Sequence, residues 1–318
     1  MPWTKITREQ YRRDDLRYAS DMTDAEWALI RRLLPRANRR GRPRKTELRR
    51  VIEAILYIVS TGCQWRALPQ EFPPYSTVQG YFYRWRDTGR WQRIVSVLVR
   101  RARKKLGRTP KPTAAVIDSQ SAPTTQAGGP RGYDAGKRIY GRKRHIVTDT
   151  NGLLLGVHVH PANVQDCHGA VPLLKNVRMN FPRLRHVFAD RIYRGNQLLD
   201  ALSDCGPWTV EIVERPQGVK GFQLLPRRWV VERTFAWFGR CRRLAKDFEA
   251  TVATEAAWLL IAHIRLLTRR LAAAAKVGCF ISQTLRSALL RASRRMAART
   301  LPDRFLSICD CPEVILNG

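Results

Sequence analysis

Residues 144–160 read Arg-His-Ile-Val-Thr-Asp-Thr-Asn-Gly-Leu-Leu-Leu-Gly-Val-His-Val-His, and this stretch decides the fold. Two apolar runs, Arg144–Asp149 and Leu153–His160, flank the dipeptide Asn151-Gly152, which is typical of a tight β-hairpin turn. A short apolar run, Ala114–Asp118, precedes them across a glycine-rich polar segment. We therefore expect three consecutive strands, of which the last two form a hairpin.

Helices and strands alternate after the hairpin. The pattern predicts a helix over Asp166–Val177, a strand over Leu184–Asp190, a helix near Gln197–Ser203, a strand over Trp208–Val213 and a long helix from Pro226 to Phe238. The order β-β-β-α-β-α-β-α is that of a ribonuclease H-like sheet. The predicted fold class is therefore α/β, a ribonuclease H-like mixed-sheet domain preceded by a small all-helical module.

The N-terminal third is predicted to be helical. Thr23–Glu26 forms a capping box that opens a first helix, Thr46 caps a second through about Ser60, a second capping box at Ser76–Gln79 opens a third, and Trp91–Leu106 forms a fourth. We expect a leader over residues 1–20, a DNA-binding module of helix-turn-helix type over 21–108, a catalytic domain over 109–275 and a basic tail of unassigned role over 276–318.

The charge of the chain points to a polyanionic partner. The sequence holds 58 Lys plus Arg against 26 Asp plus Glu, a net charge of +32, and self-repulsion of that size opposes compaction without an anionic partner. Nucleic acid is the leading candidate and an anionic membrane the second. No stretch approaches the ~18 apolar residues that span a bilayer. The seven scattered cysteines suggest reduced thiols, as expected of a cytoplasmic protein.

Three carboxylates fall at chemically informative places. Asp118 ends the first predicted strand, Asp190 ends the fourth, and Glu232 lies on the last helix, one turn after Arg228. Strands one and four can be neighbours, and three ionised carboxylates brought together need a cation to offset their repulsion. Oxygen ligands of this kind suit Mg²⁺ or Mn²⁺, and two such ions can support an in-line displacement at phosphorus. The alternative for Glu232 is an ordinary helical ion pair with Arg228.

Other acids and histidines admit plainer interpretations. Asp149 and Asp166 lie at a turn and near a helix start, where carboxylates cap backbone N–H groups. His158 and His160, with Asp166 and His168, could be combined into a zinc site, but their spacing matches no zinc pattern.

Several cations are candidate DNA contacts. Arg42 and Arg44 belong to an arginine–glycine–proline segment that suits an A·T-rich minor groove, and Arg84 and Arg86 lie on the predicted recognition helix. A second group borders the glycine-rich segment and is predicted to clamp phosphates near the first acid: Lys137, Arg142, Lys143 and Arg144. Arg228 either orients Glu232 or contacts DNA. For each of these cations the alternative is a solvated basic surface.

Together, these motifs resemble those of bacterial DDE transposases of the insertion-sequence-five family. The segments that carry the resemblance are Arg17–Trp27, Gly62–Pro69, Ile117–Ser119, Gly132–Lys137, Gly141–His145, Ala162–Asp166, Ala189-Asp190 and Leu225–Glu249. This chain departs from the family pattern at three positions. Leu225 stands where the family has tyrosine, Gly239 where it has lysine, and Ile192 where it usually has glycine before Tyr193.

The resemblance implies a transposase that binds the terminal inverted repeats of an insertion sequence, cleaves the DNA strands and transfers them to a target. It implies Mg²⁺ or Mn²⁺, with two ions held by Asp118, Asp190 and Glu232, and a homo-oligomer assembled on double-stranded DNA. It also implies a bacterial cytoplasmic, nucleoid-associated protein without a membrane partner. Two alternatives stay open from the sequence. A catalytically dead remnant would repress its own element, and an unrelated metal-dependent nuclease would cut DNA without an inverted repeat.

Overall fold

A mixed sheet built around strand β1 (Ala114–Pro123) forms the centre of the described chain. The computed structural model describes residues 12–36, 43–214 and 227–273. β1 pairs antiparallel with β3 (Ile139–Asp149) and, on its other edge, parallel with β5 (His186–Ala189). β4 (Leu154–Pro161) is antiparallel to β3, and β6 (Thr209–Ile212) is parallel to β5.

A sixth strand, β2 (Gly132–Asp134), continues the row of β4. It pairs with residues 139–141 of β3, while β4 pairs with residues 142–148. Gly141 of β3 has Gly132 on one side and Pro123 of β1 on the other, so β2 lies on the edge opposite β1.

The helices lie before, between and after the strands. They are α1 (Asp24–Ile30), α2 (Leu48–Thr61), α3 (Tyr75–Asp87), α4 (Arg90–Lys105), α5 (Asp166–Asn180), α6 (Gln197–Ala201), α7 (Arg228–Phe238) and α8 (residues 252–273). The predicted α/β class, with helices preceding a mixed sheet, is confirmed. Among the described residues, no helix combines the length and the apolar character needed to cross a membrane.

Local turn and cap chemistry explains where several elements begin. The capping box at Thr23 is confirmed, with Thr23 Oγ1 accepting the N–H of Glu26 and Glu26 accepting the N–H of Thr23. The hairpin turn before β4 is also as predicted, and Gly152 adopts a φ of 81°. The caps predicted at Ser76 and Thr46 are wrong. α3 begins one residue earlier, after Pro74, and α2 begins after Glu47, in neither case with a side-chain cap.

β1 is longer than predicted, and this changes the position of its acid. The strand continues to Pro123, so Asp118 lies in its middle and does not end it. The extension is polar and contains Ser119 and Ser121, whose hydroxyls bond to buried acids. The hydrophobic pattern therefore predicts only the apolar first half of the strand, because its second half is polar.

Helix α8 fixes the β3–β4 hairpin through a buried histidine. The N–H of Leu154 donates to Nε2 of His263 at 3.0 Å, next to the irregular register between Val147 and Thr148. Burial lowers the pKa of His263 to about 3, so its ring is neutral and Nε2 can accept. Asp149 closes the turn from inside, since its Oδ1 accepts the N–H of Leu153 at 2.9 Å and that of Asn151 at 2.9 Å.

The N-terminal helices share a core with α8 and the hairpin. Phe82 of α3 stacks on Trp258 of α8 at 4.5 Å between ring centroids, and Gln92 of α4 donates to the carbonyl of Leu155 at 3.1 Å. The described residues up to Ala272 belong to one compact unit. The division of residues 21–108 from 109–275 therefore stays a prediction about the roles of two parts of one packed body. The whole of the predicted tail, 276–318, lies outside the described residues.

Two buried arginines of β3 bind the segment between α7 and α8 and the first turn of α8. Arg142 is fully buried, with Nη1 at 2.9 Å from Asp247 Oδ2 and further hydrogen bonds to backbone carbonyls. Arg144 is also buried, with Nη2 at 2.6 Å from Glu255 Oε1 and Nη1 donating to the carbonyl of Leu244 at 2.8 Å. Burial raises the pKa of Glu255 to about 8, against the opposing charge of Arg144.

Removing one member of this buried set should strongly destabilise the fold. We expect Arg142→Ala to lower the free energy of unfolding by about 3–5 kcal/mol, because Asp247 would stay buried without its partner. Urea denaturation of the variant and the wild type measures the difference. Arg183→Ala removes an exposed arginine and serves as the matched control, with an expected change within about 0.5 kcal/mol. Equal effects of the two substitutions would contradict the buried role of Arg142.

Candidate active site

The parallel pairing of β1 and β5 brings two acids to equivalent positions. Val116 pairs with Phe188, and each acid follows its paired residue by two positions, Asp118 within β1 and Asp190 directly after the parallel strand β5. Asp118 is half-buried, and its Oδ1 accepts the N–H of Ser119 at 2.7 Å. The juxtaposition depends on the backbone register, which the sequence pattern alone did not determine.

Asp190 also caps a short turn. It is the residue before a single-turn 3₁₀ helix, Arg191–Tyr193, and its Oδ1 accepts the N–H of Ile192 at 3.0 Å. Its other oxygen, Oδ2, lies 3.5 Å from Nη2 of Arg228. One oxygen therefore fixes the turn while the other faces α7.

Glu232 reaches this site through an arginine. The side chain of Glu232 is 57% exposed, and its Oε1 lies 3.7 Å from Nε of Arg228 on the preceding turn of α7. Arg228 thus contacts Asp190 and Glu232 together. The helical ion pair considered from the sequence is present, and it extends to the acid after β5.

The electrostatics of Asp118 reflect crowding by its neighbours. Burial is the main cause that raises the pKa of Asp118 to about 6, and the negative charge of Asp190 adds to it. The N–H of Ser119 and the positive charges of Arg228 and Lys137 act in the opposite direction. The two acids and two cations therefore form one electrostatic cluster, in which the carboxylates repel each other.

The residue types of this cluster suit a divalent cation, but their present arrangement does not form a complete ligand set. Paired carboxylates, one of them with a raised pKa, favour a hard cation with oxygen ligands. In the described part of the chain, however, no three His, Cys, Asp or Glu side chains are arranged to hold a metal ion. Arg228 supplies the positive charge between Asp190 and Glu232 instead.

A hydrogen-bonded chain on the opposite face of β1 holds the Asp190 turn. Tyr193 is buried, and its hydroxyl lies 2.5 Å from Nε2 of His145. Nδ1 of His145 lies 3.0 Å from Nε2 of His160, whose Nδ1 lies 3.0 Å from the carbonyl of Pro161. Since a carbonyl can only accept, the protons are ordered: His160 donates to Pro161, His145 to His160, and Tyr193 to His145.

The pKa shifts agree with this neutral chain. Burial, with the neighbouring histidines and Lys143, lowers the pKa of His145 well below its usual value. Burial, with the charges of Asp166, Asp118 and Asp190, raises the pKa of Tyr193 well above its usual value. All members of the chain are therefore neutral at physiological pH, and the chain acts as a fixed tether for the turn.

Asp166 belongs to the same buried face. It was predicted as a helix cap, but Gln165 is the residue before α5, and Asp166 accepts the hydroxyl of Ser119 at 2.6 Å. Lys143 lies 3.5 Å from the same oxygen of Asp166 and donates to the carbonyl of Val164 at 2.8 Å. Asp166 therefore links α5 to β1 and β3.

The predicted DNA contacts divide into exposed and internal side chains. Arg44 and Arg84 are exposed, Arg86 is half-buried and donates to Thr254 Oγ1 at 2.8 Å, and Arg42 lies outside the described residues. Lys137 is exposed. Three further residues predicted to bind phosphates are buried and are paired with acids inside the protein: Arg142, Lys143 and Arg144. The predicted phosphate contact is not available to them, because their charges are used to hold the interior together.

Comparison with known families identifies the kind of protein. Residues 109–267, half of the chain, match the family described as "Transposase DDE domain", and this range contains all three acids. The chain belongs to the DDE transposase family. Residues 22–95 match the family described as "Putative transposase of IS4/5 family". The resemblance found from the sequence motifs is thereby confirmed.

Two relatives agree with this assignment. A Burkholderia cepacia protein described as "Putative transposase for insertion sequence element IS402" is 36% identical over 126 residues, which cover 37% of this chain and 59% of that protein. The protein y4sN of Sinorhizobium fredii (strain NBRC 101917 / NGR234), described as uncharacterized, is 31% identical over 81 residues, 26% of this chain and 65% of that protein. The chain thus spans less than two thirds of either relative.

The tether of Tyr193 is the part of the site that sequence reasoning missed. His145 and His158 are directly opposite each other in β3 and β4, and Ser119 is opposite His145 in β1. A signal was present, because His158 and His160 alternate along one strand and share a face. Their spacing matches no zinc pattern, and the shared face reflects the buried hydrogen-bonded chain instead.

The raised pKa of Asp118 gives a testable pH dependence of stability. Folding favours the protonated acid, so the ionised form costs free energy above about pH 6, and this cost disappears as the pH falls towards 4. Asp118→Asn keeps the oxygen that accepts the N–H of Ser119 and removes the charge. We expect it to raise the free energy of unfolding by about 1–3 kcal/mol at pH 7.5 in EDTA. Urea denaturation across pH 4–8 should show the gain vanish at low pH; a gain independent of pH would contradict the assignment.

Loss of the Tyr193 hydroxyl should release the turn that contains Asp190 from the hydrogen-bonded chain. Tyr193→Phe would leave Nε2 of buried His145 without its donor, at an expected cost of about 1–3 kcal/mol in the free energy of unfolding. Thermal denaturation measures the melting temperatures of this variant and of the control Tyr75→Phe. The control should melt like the wild type, because Tyr75 is 39% exposed. If the two variants melt alike, the chain from Tyr193 to Pro161 does not hold the turn.

Proposed function

We propose that this protein is a DNA transposase that binds the terminal inverted repeats of an insertion sequence and catalyses metal-dependent strand cleavage and strand transfer. The proposal rests on one observation, made within the region that matches the DDE domain. Asp118 and Asp190 lie side by side, and Arg228 contacts both Asp190 and Glu232. A role in DNA chemistry also agrees with the net charge of +32.

We infer that the sheet is ribonuclease H-like. Its main row of strands has the order β4-β3-β1-β5-β6. β3 is antiparallel to β1, β5 is parallel to β1, and β6 is parallel to β5. The element order is the one predicted from the sequence, with β2 added. In such a sheet the acids of β1 and of the segment after β5 lie side by side, which is the arrangement that phosphoryl transfer needs.

In the proposed reaction the protein positions a scissile phosphodiester and balances charge around it. Asp118, Asp190 and Glu232 would hold Mg²⁺ or Mn²⁺, most simply two ions, which when bound supply an activated water or 3′-hydroxyl and stabilise the leaving oxygen. Asp118 must be ionised for this role, so ligation competes with a proton below about pH 6. Arg228 would exchange its carboxylate partners for a DNA phosphate.

The DNA-binding surface is proposed from exposed cations of both parts of the chain. Arg44 and Arg84 on the helical part and Lys137 beside Asp118 can reach phosphates without disturbing the interior, and Arg42 is proposed from its sequence motif alone. Handling two ends of one element requires at least two copies of the chain, so we propose a homo-oligomer on DNA. Such a protein would act in the bacterial cytoplasm, at the nucleoid.

Cleavage of DNA ends tests the proposal directly. The substrate is a labelled fragment carrying the terminal inverted repeat of the element that encodes the chain, incubated with Mg²⁺ or Mn²⁺. Asp118→Ala, Asp190→Ala and Glu232→Ala should each lower the cleavage rate about a thousandfold or more, because each removes a ligand worth several kcal/mol in the transition state. Asp200→Ala, an exposed acid of α6, is the matched control and should cut normally.

The same assay separates the alternatives. Undiminished cutting by the three variants would refute the assignment of the acids. Cutting that ignores the inverted repeat would indicate a nuclease of another kind. Binding of the end without cutting under any divalent metal would favour a repressor that has lost its activity.

A further inference from the structure

A pair of tyrosines is exposed on the hairpin formed by β2 and the start of β3. Tyr133 and Tyr140 are directly opposite each other in the antiparallel register, and they are 53% and 54% exposed. Side chains that are direct cross-strand partners lie on the same face, with Cβ atoms about 4.5–5.5 Å apart. We call these two residues the tyrosine pair. Two large aromatic rings exposed side by side are unusual away from an interaction surface.

The other face of this hairpin is fastened to the protein. Asp134 is buried, and it accepts the hydroxyl of Ser121 at 2.5 Å and the N–H of Lys137 at 3.1 Å. Two glycines allow the backbone to lie against its neighbours: a Cβ on Gly132 would come within 2.0 Å of Asn163 Oδ1, and one on Gly141 within 2.0 Å of the carbonyl of Ala122. The tyrosine pair is therefore presented on a rigid support.

Positive charge surrounds the pair. The guanidinium carbon of Arg131 lies 5.4 Å from the ring centroid of Tyr140, and Lys137 and Arg138 are exposed in the turn between the strands. The one acid of the hairpin, Asp134, faces inward. Rings beside cations, without an exposed acid, complement a partner that combines flat apolar faces with negative charge, which is the chemistry of a nucleic acid strand.

The hairpin also reaches the candidate active site. Nζ of Lys137 donates to the carbonyl of Ser119, the residue after Asp118, at 3.3 Å, and its charge acts on Asp118. Tyr133 and Tyr140 are four and three residues from Lys137, which corresponds to at most about 10–14 Å of extended chain. That distance is comparable to the length of a few nucleotides of a DNA strand, so one strand could contact the tyrosine pair and the candidate active site together.

We propose that the tyrosine pair is a stacking platform for unpaired nucleotides of the strand that leads to the scissile phosphodiester. Within a continuous duplex both faces of a base are covered by its stacked neighbours, so an internal base can stack on an aromatic ring only after it has left the duplex, whereas paired DNA would need only the cations. The inference rests on the proposed transposase function and adds to it that the DNA is locally unpaired beside Asp118.

Fluorescence and binding experiments on the full chain in EDTA test this without requiring cleavage. The probes carry the terminal inverted-repeat sequence of the element that encodes the chain. They are a single-stranded 20-mer containing 2-aminopurine, the same sequence as a blunt duplex, and the duplex with a three-nucleotide overhang. The wild type should bind the single-stranded and overhang probes and change the 2-aminopurine fluorescence. The double variant Tyr133→Leu/Tyr140→Leu should raise Kd for these probes about tenfold or more and leave Kd for the blunt duplex nearly unchanged.

The matched control keeps the rings and removes only the hydroxyls. Tyr133→Phe/Tyr140→Phe should bind all three probes like the wild type, and thermal denaturation should show both double variants folded. Equal Kd values for the leucine variant and the wild type would overturn the platform, and so would an equal loss for single-stranded and duplex probes. A wild type that binds none of the probes would instead overturn the proposed function itself.

Discussion

Alternation along β1 is the constraint on which the rest of this structure depends. Asp118 and Ser119 are consecutive, so they face opposite sides of the sheet. Asp118 meets the charges of Asp190 and Arg228, while Ser119 bonds to Asp166 and lies opposite His145. One face therefore carries the candidate chemistry, and the other carries the polar network that holds it in place. A shift of one residue in the register of β1 would exchange the two faces.

The strong positive charge of the chain has two different uses, and the sequence does not distinguish them. Arg142 and Arg144 look like surface cations in a basic run, yet both are buried against acids that lie more than a hundred residues later in the chain. Such pairs form only when the fold brings distant segments together. Local pattern therefore overestimates the positive charge on the surface, and the charge that remains there is carried by residues such as Arg44, Arg84 and Lys137.

Features set by short-range physics were predictable from the sequence. The Asn151-Gly152 turn, the Thr23 capping box and the alternation of helices and strands all follow from neighbouring residues. The three candidate acids also stand out in the sequence, Asp118 and Asp190 because they follow apolar runs and Glu232 because it interrupts one. The Tyr193 tether was not predictable in the same way, since its members come from β3, from β4 and from the turn that follows β5. Only the tertiary pairing of those strands reveals it.

The two halves of the candidate site differ in how firmly they are held. Asp190 belongs to a turn anchored by buried Tyr193, and its side chain is only 23% exposed. Glu232 is 57% exposed, and its contact in the cluster is an ion pair with Arg228 on the same helix, a kind of pair worth at most about 1 kcal/mol. The cost of rearranging the carboxylates around a divalent cation would therefore fall on Glu232 and Arg228. Asp118 and Asp190 form the fixed half of the site, and the helix that bears Glu232 supplies the adjustable half.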